Sequence, residues 1–385
     1  METSTAPTYA LTGEQIDFRD TIRQIVAERV APRAAEIDAK AEYPWDVRRL
    51  FAEQDLLGLP FPEEYGGTGT GTLMLNVAVE EVARACASSA LILMIQELGT
   101  LPIQLFGTEE LKQRFLPRCA SGEWSPAFAL SEPDAGSDPG GMITRAVRDG
   151  DEWVINGTKN WITNLGIADF YVVFAKTDPD AGRSRGISAF VVEADRPGFS
   201  VGKLEHKLGI KGSPTGQPVF DDVRVPAENL IGEVDQGMKV ALGTLDHSRL
   251  GVAAQAVGIA QGATDHAAAY ARERRQFGQP IGDFQGIQFK LADMETRTAA
   301  ARELLYRACA KIDRHEPDAG KYSAMAKLFA SDTAMAVSVD AVQVLGGYGY
   351  VTEYPVERYM RDAKITQIYE GTNEIQRLVI ARSLR

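Results

Sequence analysis

Cysteine is nearly absent: the 385 residues hold three, Cys86, Cys119 and Cys309. They are far apart and odd in number, which excludes a disulfide framework and a Cys-x-x-Cys metal site and suits a reduced cytoplasm. Histidine is as scarce, and His206, His247, His266 and His315 stand at no ligand spacing, so no metal is expected. Positive charge is in deficit, with 41 Lys+Arg against 53 Asp+Glu and a net charge of −12. That balance argues against nucleic acid as the main partner and against an anionic membrane surface, so an anionic ligand must be met by locally arranged donors. Long hydrophobic runs are missing as well. The longest obvious one, Ala90 to Ile95, is far shorter than the about 20 residues of a membrane span and reads as a buried helix. The opening Met1 to Pro7 has neither the charged nor the apolar region of a signal peptide, and no arginine precedes Arg19, so a cytoplasmic protein is expected.

What is there describes an ordinary globular protein of two or three domains, 44% hydrophobic and 24% charged, without internal repeats or low-complexity tracts. Thr12 and Gln15 form a capping box, and Ile22, Ile25, Val26 and Val30 recur at helical spacing until Pro32 interrupts. Further amphipathic segments at Leu75 to Cys86, Ala90 to Leu105 and Glu109 to Arg118 continue a helical region to about residue 125. The glycine-rich Gly66 to Gly71 follows no strand pattern and lacks Gly-x-Gly-x-x-Gly spacing, so it reads as a connection and not as a nucleotide loop. From residue 126 the period changes. Asp149-Gly150 and Asn156-Gly157 read as hairpin turns, and Trp153 to Ile155, Phe170 to Phe174 and Ile187 to Val192 as strands. After Pro226 helical patterns return at about Gln236 to Arg274, Phe284 to Ile312, Gly320 to Leu345 and Asn373 to Leu384. The expectation is an α+β chain with an N-terminal helical domain over 1–125, a middle antiparallel β domain over 126–235 and a C-terminal helical bundle over 236–385.

One carboxylate stands out. In Ile368-Tyr369-Glu370-Gly371-Thr372-Asn373-Glu374, Glu370 sits on an aromatic-to-glycine bend just before the final apolar helix. Glycine there permits a tight turn and close approach to a ligand, and Tyr369 is placed to shield the carboxylate, which strengthens it as a base. Read alone, such a glutamate more often only complements a helix dipole.

Three further strings change that balance: Phe128-Ala129-Leu130-Ser131-Glu132-Pro133-Asp134-Ala135-Gly136-Ser137-Asp138, Trp161-Ile162-Thr163-Asn164, and Gln343 to Tyr350 with its Gly346-Gly347 pair. With the Glu370 bend they resemble the acyl-CoA dehydrogenases in order and approximate spacing, from Thr12 to the last helix. The resemblance implies that family's fold and the FAD-dependent α,β-dehydrogenation of an acyl-CoA thioester, with electrons passed to an electron-transfer flavoprotein. It also implies a homotetramer. Glu370 falls on the catalytic base of the family; other members carry their base at the position of Ser248, which a serine cannot serve.

By the same resemblance, Phe128, Leu130 and Ser131 line the flavin, Trp161 packs beside its ring and Thr163 donates toward its reacting nitrogen. An ordinary core aromatic on a strand is the plain alternative for Trp161. Arg274, in the run Arg272 to Gly278 that includes Phe277, matches the arginine on the FAD pyrophosphate, with Gln285 eleven positions on; alone it would be a solvated helix end. Gln343, Gly346 and Gly347 match the segment that reaches a neighbouring subunit's FAD, and Thr372 and Glu374 complete the cofactor contacts. For acyl-CoA the resemblance implicates Ser137, Asp246, Arg249 and Gly371, although Asp246 and Arg249, three apart on a helix, otherwise suggest a surface pair. Similarity to short-chain and short-branched-chain members implies a short acyl group, with the pocket floor drawn from Ile95, Gln96, Glu97 and Leu98. The rival readings are an oxidase on the same scaffold, which gives its electrons to oxygen, and a non-catalytic acyl-CoA or flavin-binding module.

Overall fold

The structure, a computed structural model, describes residues 11–384; Met1 to Pro7, read above for targeting signals, lie outside the described residues. Seven helices come first: α1 (Gly13–Ile25), α2 (Ala34–Lys40), α3 (Trp45–Glu53), α4 (Gly71–Ala85), α5 (Ala87–Leu98), α6 (Leu101–Phe106) and α7 (Glu109–Ala120). Nine strands follow: β1 (Pro126–Ala129), β2 (Arg145–Asp149), β3 (Glu152–Thr158), β4 (Ile162–Thr163), β5 (Phe170–Lys176), β6 (Ile187–Glu193), β7 (Phe199–Leu204), β8 (Thr215–Pro226) and β9 (Leu230–Ile231). The chain then returns to helix in α8 (Gly237–Glu273), makes a small hairpin of β10 (Arg275–Gln276) and β11 (Gln279–Pro280), and ends in α9 (Gln285–Asp313), α10 (Ala319–Leu345), α11 (Val356–Thr366) and α12 (Asn373–Arg382). Helices, sheet, helices is the α+β order expected.

The Thr12 capping box is formed, with both reciprocal bonds present. Pro32 does not end the run as its sequence position suggests. The backbone passes through a π turn at Val26–Val30 and a 3-10 turn at Ala31–Arg33, where a proline near the start gives up no hydrogen bond the turn needs, and continues into α2. α11 was not legible: it is short and charged, and its buried face mixes Val356, Tyr359 and Ala363 with the polar Asp362 and Thr366.

The chain forms two compact units. One, residues 36–71 and 91–248, is built on the nine-stranded sheet, ordered β4-β8-β3-β2-β5-β6-β9 with β1 added to β5 and β7 to β8. Its pairings are antiparallel except where β1 and a single residue of β2 lie parallel to β5. β5 and β6 are buried on both faces, which explains their continuous apolar sequences. Phe170, Val172 and Phe174 pack on one side with Phe115 of α7, while Tyr171 and Val173 pack on the other with Trp153, Ile155 and Phe220. Asp149-Gly150 lies at the β2–β3 hairpin, but Asn156-Gly157 is not a turn. It lies inside β3, where the register with β8 shifts between Ile155 and Gly157. Gly157 takes φ 149°, and a Cβ there would come within 2.4 Å of the Thr144 hydroxyl, so the glycine serves a β-bulge.

The other unit comprises residues up to 35, 72–90 and 249–385. Here α10 packs against α9, α11 and α12, and α4 is tied in by polar contacts. Glu80 accepts from Arg302 at 2.7 Å and from the Tyr306 hydroxyl at 2.9 Å, both on α9. Arg84 reaches Asp265 of α8 at 2.6 Å, and Asp313 accepts from the backbone amide of Thr72 at 2.8 Å, satisfying the start of α4. Two helical runs, Ala87–Phe106 and Ala319–Tyr350, do have the length and hydropathy of a membrane span; the first continues the Ala90 to Ile95 stretch and is 78% buried in the protein, as core helices are. All three cysteines are free and buried.

Candidate functional site

The candidate residues divide between the two units. In the helical unit, α11 ends at Thr366 and Thr372 caps α12 by accepting from the Ile375 amide at 3.4 Å, leaving a bend between them. Its first part is ordinary, with the amides of Ile368 and Tyr369 closing on the Ile365 carbonyl at 2.8 and 3.1 Å. Then two consecutive residues turn left-handed, Glu370 with φ 52° and Gly371 with φ 90°. Gly371 does so freely, but Glu370 pays about 1–2 kcal/mol for it. Surrounding donors hold the strained bend in place. Arg249 Nε donates to the Glu370 carbonyl at 3.3 Å, and Gln376 Nε2 donates to the Glu370 and Gly371 carbonyls at 3.2 and 2.9 Å. Lys327 Nζ donates to the Gly371 carbonyl at 2.8 Å and to Asn373 Oδ1 at 2.9 Å.

Tyr369 donates its hydroxyl to Gln255 Oε1, and Gln255 Nε2 in turn donates to the Ala87 carbonyl at 3.0 Å. Burial, and then the charge of Glu370, push the Tyr369 phenol well above its ordinary value. Arg249 is buried, so it is not the solvated half of a surface pair with Asp246. Asp246 is half-buried and Ser248 buried, on the first turns of α8 in the sheet unit. Glu374, in the first turn of α12, has its carboxyl held below the ordinary value by backbone and Thr372 hydrogen bonds; Thr372 and Glu374 therefore have a capping role.

At the other end of α8, Arg274 is exposed, with its guanidinium 5.4 Å from the Tyr348 ring centroid. It borders a cavity of about 720 Å³ whose lining includes Tyr270, Tyr348, Tyr354, Gly346 and Gly347. A Cβ on either glycine would meet nothing within 4 Å, so this backbone faces open space. Gln343 is exposed two residues before the end of α10, and Gln285 is exposed as the first residue of α9. Phe277, on the β10–β11 turn, is 94% exposed with φ 51° and touches Phe284 edge to face. The structure thus brings Arg274 and Gly346-Gly347, seventy-two residues on, to one cavity.

In the sheet unit, Phe128 packs tilted against Phe174 with centroids 5.0 Å apart, Leu130 is buried and Ser131 half-buried. The Ser131 carbonyl accepts from the Asn160 amide at 2.9 Å, and Asn164 Nδ2 donates to the Pro126 carbonyl at 3.0 Å. Those bonds lock the Phe128–Ser131 segment to the Trp161–Asn164 segment. Trp161 is 59% exposed with φ 62°, and Asn164 has φ 65°, so Ile162 and Thr163 form a two-residue strand between left-handed residues. That exposure rules out a core aromatic. Ser137 is exposed on the loop beyond. Of the expected floor residues, Ile95 and Glu97 are buried and Leu98 half-buried, while Gln96 turns aside, donating to the Cys119 and Trp124 carbonyls at 2.6 and 3.1 Å.

Sequence reasoning missed the supporting cations. Lys159 Nζ lies 2.8 Å from Glu132 Oε1 and 3.1 Å from the Leu130 carbonyl, directly behind the Leu130–Ser131 backbone. Glu132 also accepts from the amides of Ile143 and Thr144 at 2.7 and 3.0 Å. Burial alone would raise its pKa, but Lys159 and those amides bring it below the ordinary value. The only signals available were Glu132 inside a quoted motif and Lys159 two residues before Trp161. Among the described residues, no group of three or more His, Cys, Asp or Glu could hold a metal ion.

Comparison with known proteins gives three domain matches: acyl-CoA dehydrogenase N-terminal domain over residues 12–123, middle domain over 127–223 and C-terminal domain over 235–385. A probable acyl-CoA dehydrogenase, FadE25 of Mycobacterium tuberculosis, is 51% identical over 98% of this chain and 96% of its own. Among solved structures, butyryl-CoA dehydrogenase from Megasphaera elsdenii superposes with TM-score 0.95 at 45% identity, over 98% of this chain and all of the other. One described as the electron transferring flavoprotein of Acidaminococcus fermentans gives 0.96 at 46%, over 98% and 99%. A glutaryl-CoA dehydrogenase from Mycobacterium smegmatis in complex with FADH2 gives 0.90 at 32%, over 97% and 95%.

Proposed function

The chain belongs to the acyl-CoA dehydrogenase family, and on that premise we propose that it oxidises a short-chain acyl-CoA to the trans-2-enoyl-CoA with FAD as cofactor. Glu370 is the base and an electron-transfer flavoprotein the acceptor. The observation that carries the reading is the left-handed backbone at Glu370, braced by Arg249 and Gln376. Strain of this kind survives only where the surroundings over-determine it, and it concentrates where function needs it. Trp161 and Phe277, both expected at the cofactor, share the left-handed conformation and are exposed aromatics, as residues awaiting a flat ligand would be.

The chemistry is a loss of two hydrogens. The Glu370 carboxylate takes the α-proton, the Cα–H electron pair becomes the new C=C bond, and a hydride departs from the β-carbon. Bound FAD would supply the hydride acceptor, which no side chain of the chain can be. The Glu370 backbone N–H polarises the thioester carbonyl as enolate charge develops. The family resemblance assigns acyl-CoA contacts to Ser137 and Asp246 in the sheet unit, and to Arg249 and Gly371 in the helical unit. Phe128, Leu130, Ser131, Trp161 and Thr163 would hold the ring system of FAD, Arg274 would neutralise its pyrophosphate, and Phe277 and Gln285 would add cofactor contacts nearby. The Arg274 cavity, with its cation and open glycine backbone, suits a dinucleotide. That FAD is shared between subunits of a cytoplasmic homotetramer rests on the family resemblance at Gln343, Gly346 and Gly347.

A ladder of butyryl-, isobutyryl-, hexanoyl-, octanoyl- and palmitoyl-CoA, with kcat/KM measured on an electron-transfer flavoprotein and on oxygen, tests this. Each methylene that fits gains about 0.8 kcal/mol, and the first that does not costs about 1–3 kcal/mol. Efficiency should peak near about four to six carbons and depend on the flavoprotein. A maximum at octanoyl or beyond overturns the chain length, and equal rates with oxygen make the protein an oxidase.

A further inference from the structure

We propose that Lys327 is a positioning residue for the base, its ammonium holding the Glu370–Gly371 bend in the orientation that proton removal requires. This rests on the reading of Glu370 as base. Lys327 lies a third of the way along α10 with 0% of its surface exposed. It holds a backbone carbonyl, that of the residue directly after Glu370, and the side-chain oxygen of Asn373. Asn373 is fixed in turn, donating to Ser331 at 2.9 Å and to Asp332 at 2.7 Å. A buried ammonium on neutral acceptors is expensive to keep, and an apolar side chain of like length would fill the same space at less cost.

The charged groups facing Lys327 are Glu370 from the bend, Arg249 from α8, Asp332 from its own helix and Glu374 from α12. Burial pushes its pKa down to about 8, against the pull of Glu370. The ammonium is therefore present below about 8 and lost as pH rises through that value. Losing the proton weakens the hydrogen bonds that fix the Gly371 carbonyl, and removes a positive charge beside the base. Turnover thus acquires an alkaline limb that belongs to Lys327.

The test uses the flavin-loaded enzyme and the variants Lys327→Met, Lys327→Arg and Glu370→Gln. Bound FAD is read by absorbance, affinity for a non-oxidisable thioether acyl-CoA analogue by titration, and flavin reduction by anaerobic mixing across pH. Lys327→Met should keep FAD and analogue binding yet reduce flavin roughly 10²-fold more slowly, the scale of a small misplacement of a reacting group. Its alkaline limb should vanish. Lys327→Arg stays charged at every pH tested, so it should recover part of the rate with the limb gone. A Lys327→Met enzyme with wild-type rate and limb overturns the proposal. Should Lys327→Met not fold, a folded Lys327→Arg that keeps the limb near pH 8 overturns it equally. Glu370→Gln separates the premise: a wild-type rate there removes the base reading and this proposal with it. A dead Glu370→Gln beside unaffected Lys327 variants removes only the proposal.

Discussion

Lys159 and Glu132 face each other at 2.8 Å with side chains 0% and 3% exposed, and the same ammonium reaches the Leu130 carbonyl. Removing one partner leaves a charge with neither water nor counter-ion. Lys159→Met should therefore destabilise the protein by about 3–5 kcal/mol, whereas adding Glu132→Gln should restore much of that. Thermal denaturation of the two variants checks it; equal melting temperatures for Lys159→Met and wild type would remove the pair from the stability account.

The same pair gives a pH dependence. The folded-state pKa of Glu132 lies below its ordinary 4.5, so its contribution is complete above that value and is lost as pH falls through the folded pKa. Denaturant midpoints between neutrality and acid should show wild type losing stability that Glu132→Gln does not.

Glu370→Gln should retain FAD and bind acyl-CoA but lose flavin reduction by at least about 10²–10⁴-fold, the usual worth of a general base. Anaerobic rapid mixing reads this directly. Substantial reduction by the variant would move the base elsewhere.

Arg274→Ala should purify partly as apoprotein, because pairing with a pyrophosphate is charge-assisted. The ratio of flavin to protein absorbance measures it. Full occupancy at unchanged affinity would return Arg274 to a solvated helix end stacked on Tyr348.

How much of this was readable beforehand depends on the distance over which each signal acts. Helix periodicity and the Thr12 capping box are local, so α1 starts where the sequence puts it, and α8, α9 and α10 begin and end within a few residues of their expected bounds. Asn156-Gly157 misled because an Asn-Gly pair suits a bulge as well as a turn, and only the approach of Thr144 decides between them. The motif strings and the resemblance drew attention to Glu370, Trp161 and Arg274, but nothing in them named what stands behind. Lys327 is forty-three residues from Glu370 and looks like any lysine on a helix until the carbonyl it holds is seen. The bracing bonds of Gln376 and Arg249 were hidden in the same way, since one reaches back from α12 to the bend before it and the other comes from α8, 121 positions away.

The left-handed turn at Glu370 sets protein engineering against itself. Glycine would adopt that backbone freely, so Glu370→Gly recovers about 1–2 kcal/mol of strain. A library screened for thermal tolerance alone would accordingly favour substitution at this position and collect stable, inert enzymes. Screens on this scaffold should therefore couple heat challenge to turnover in every round.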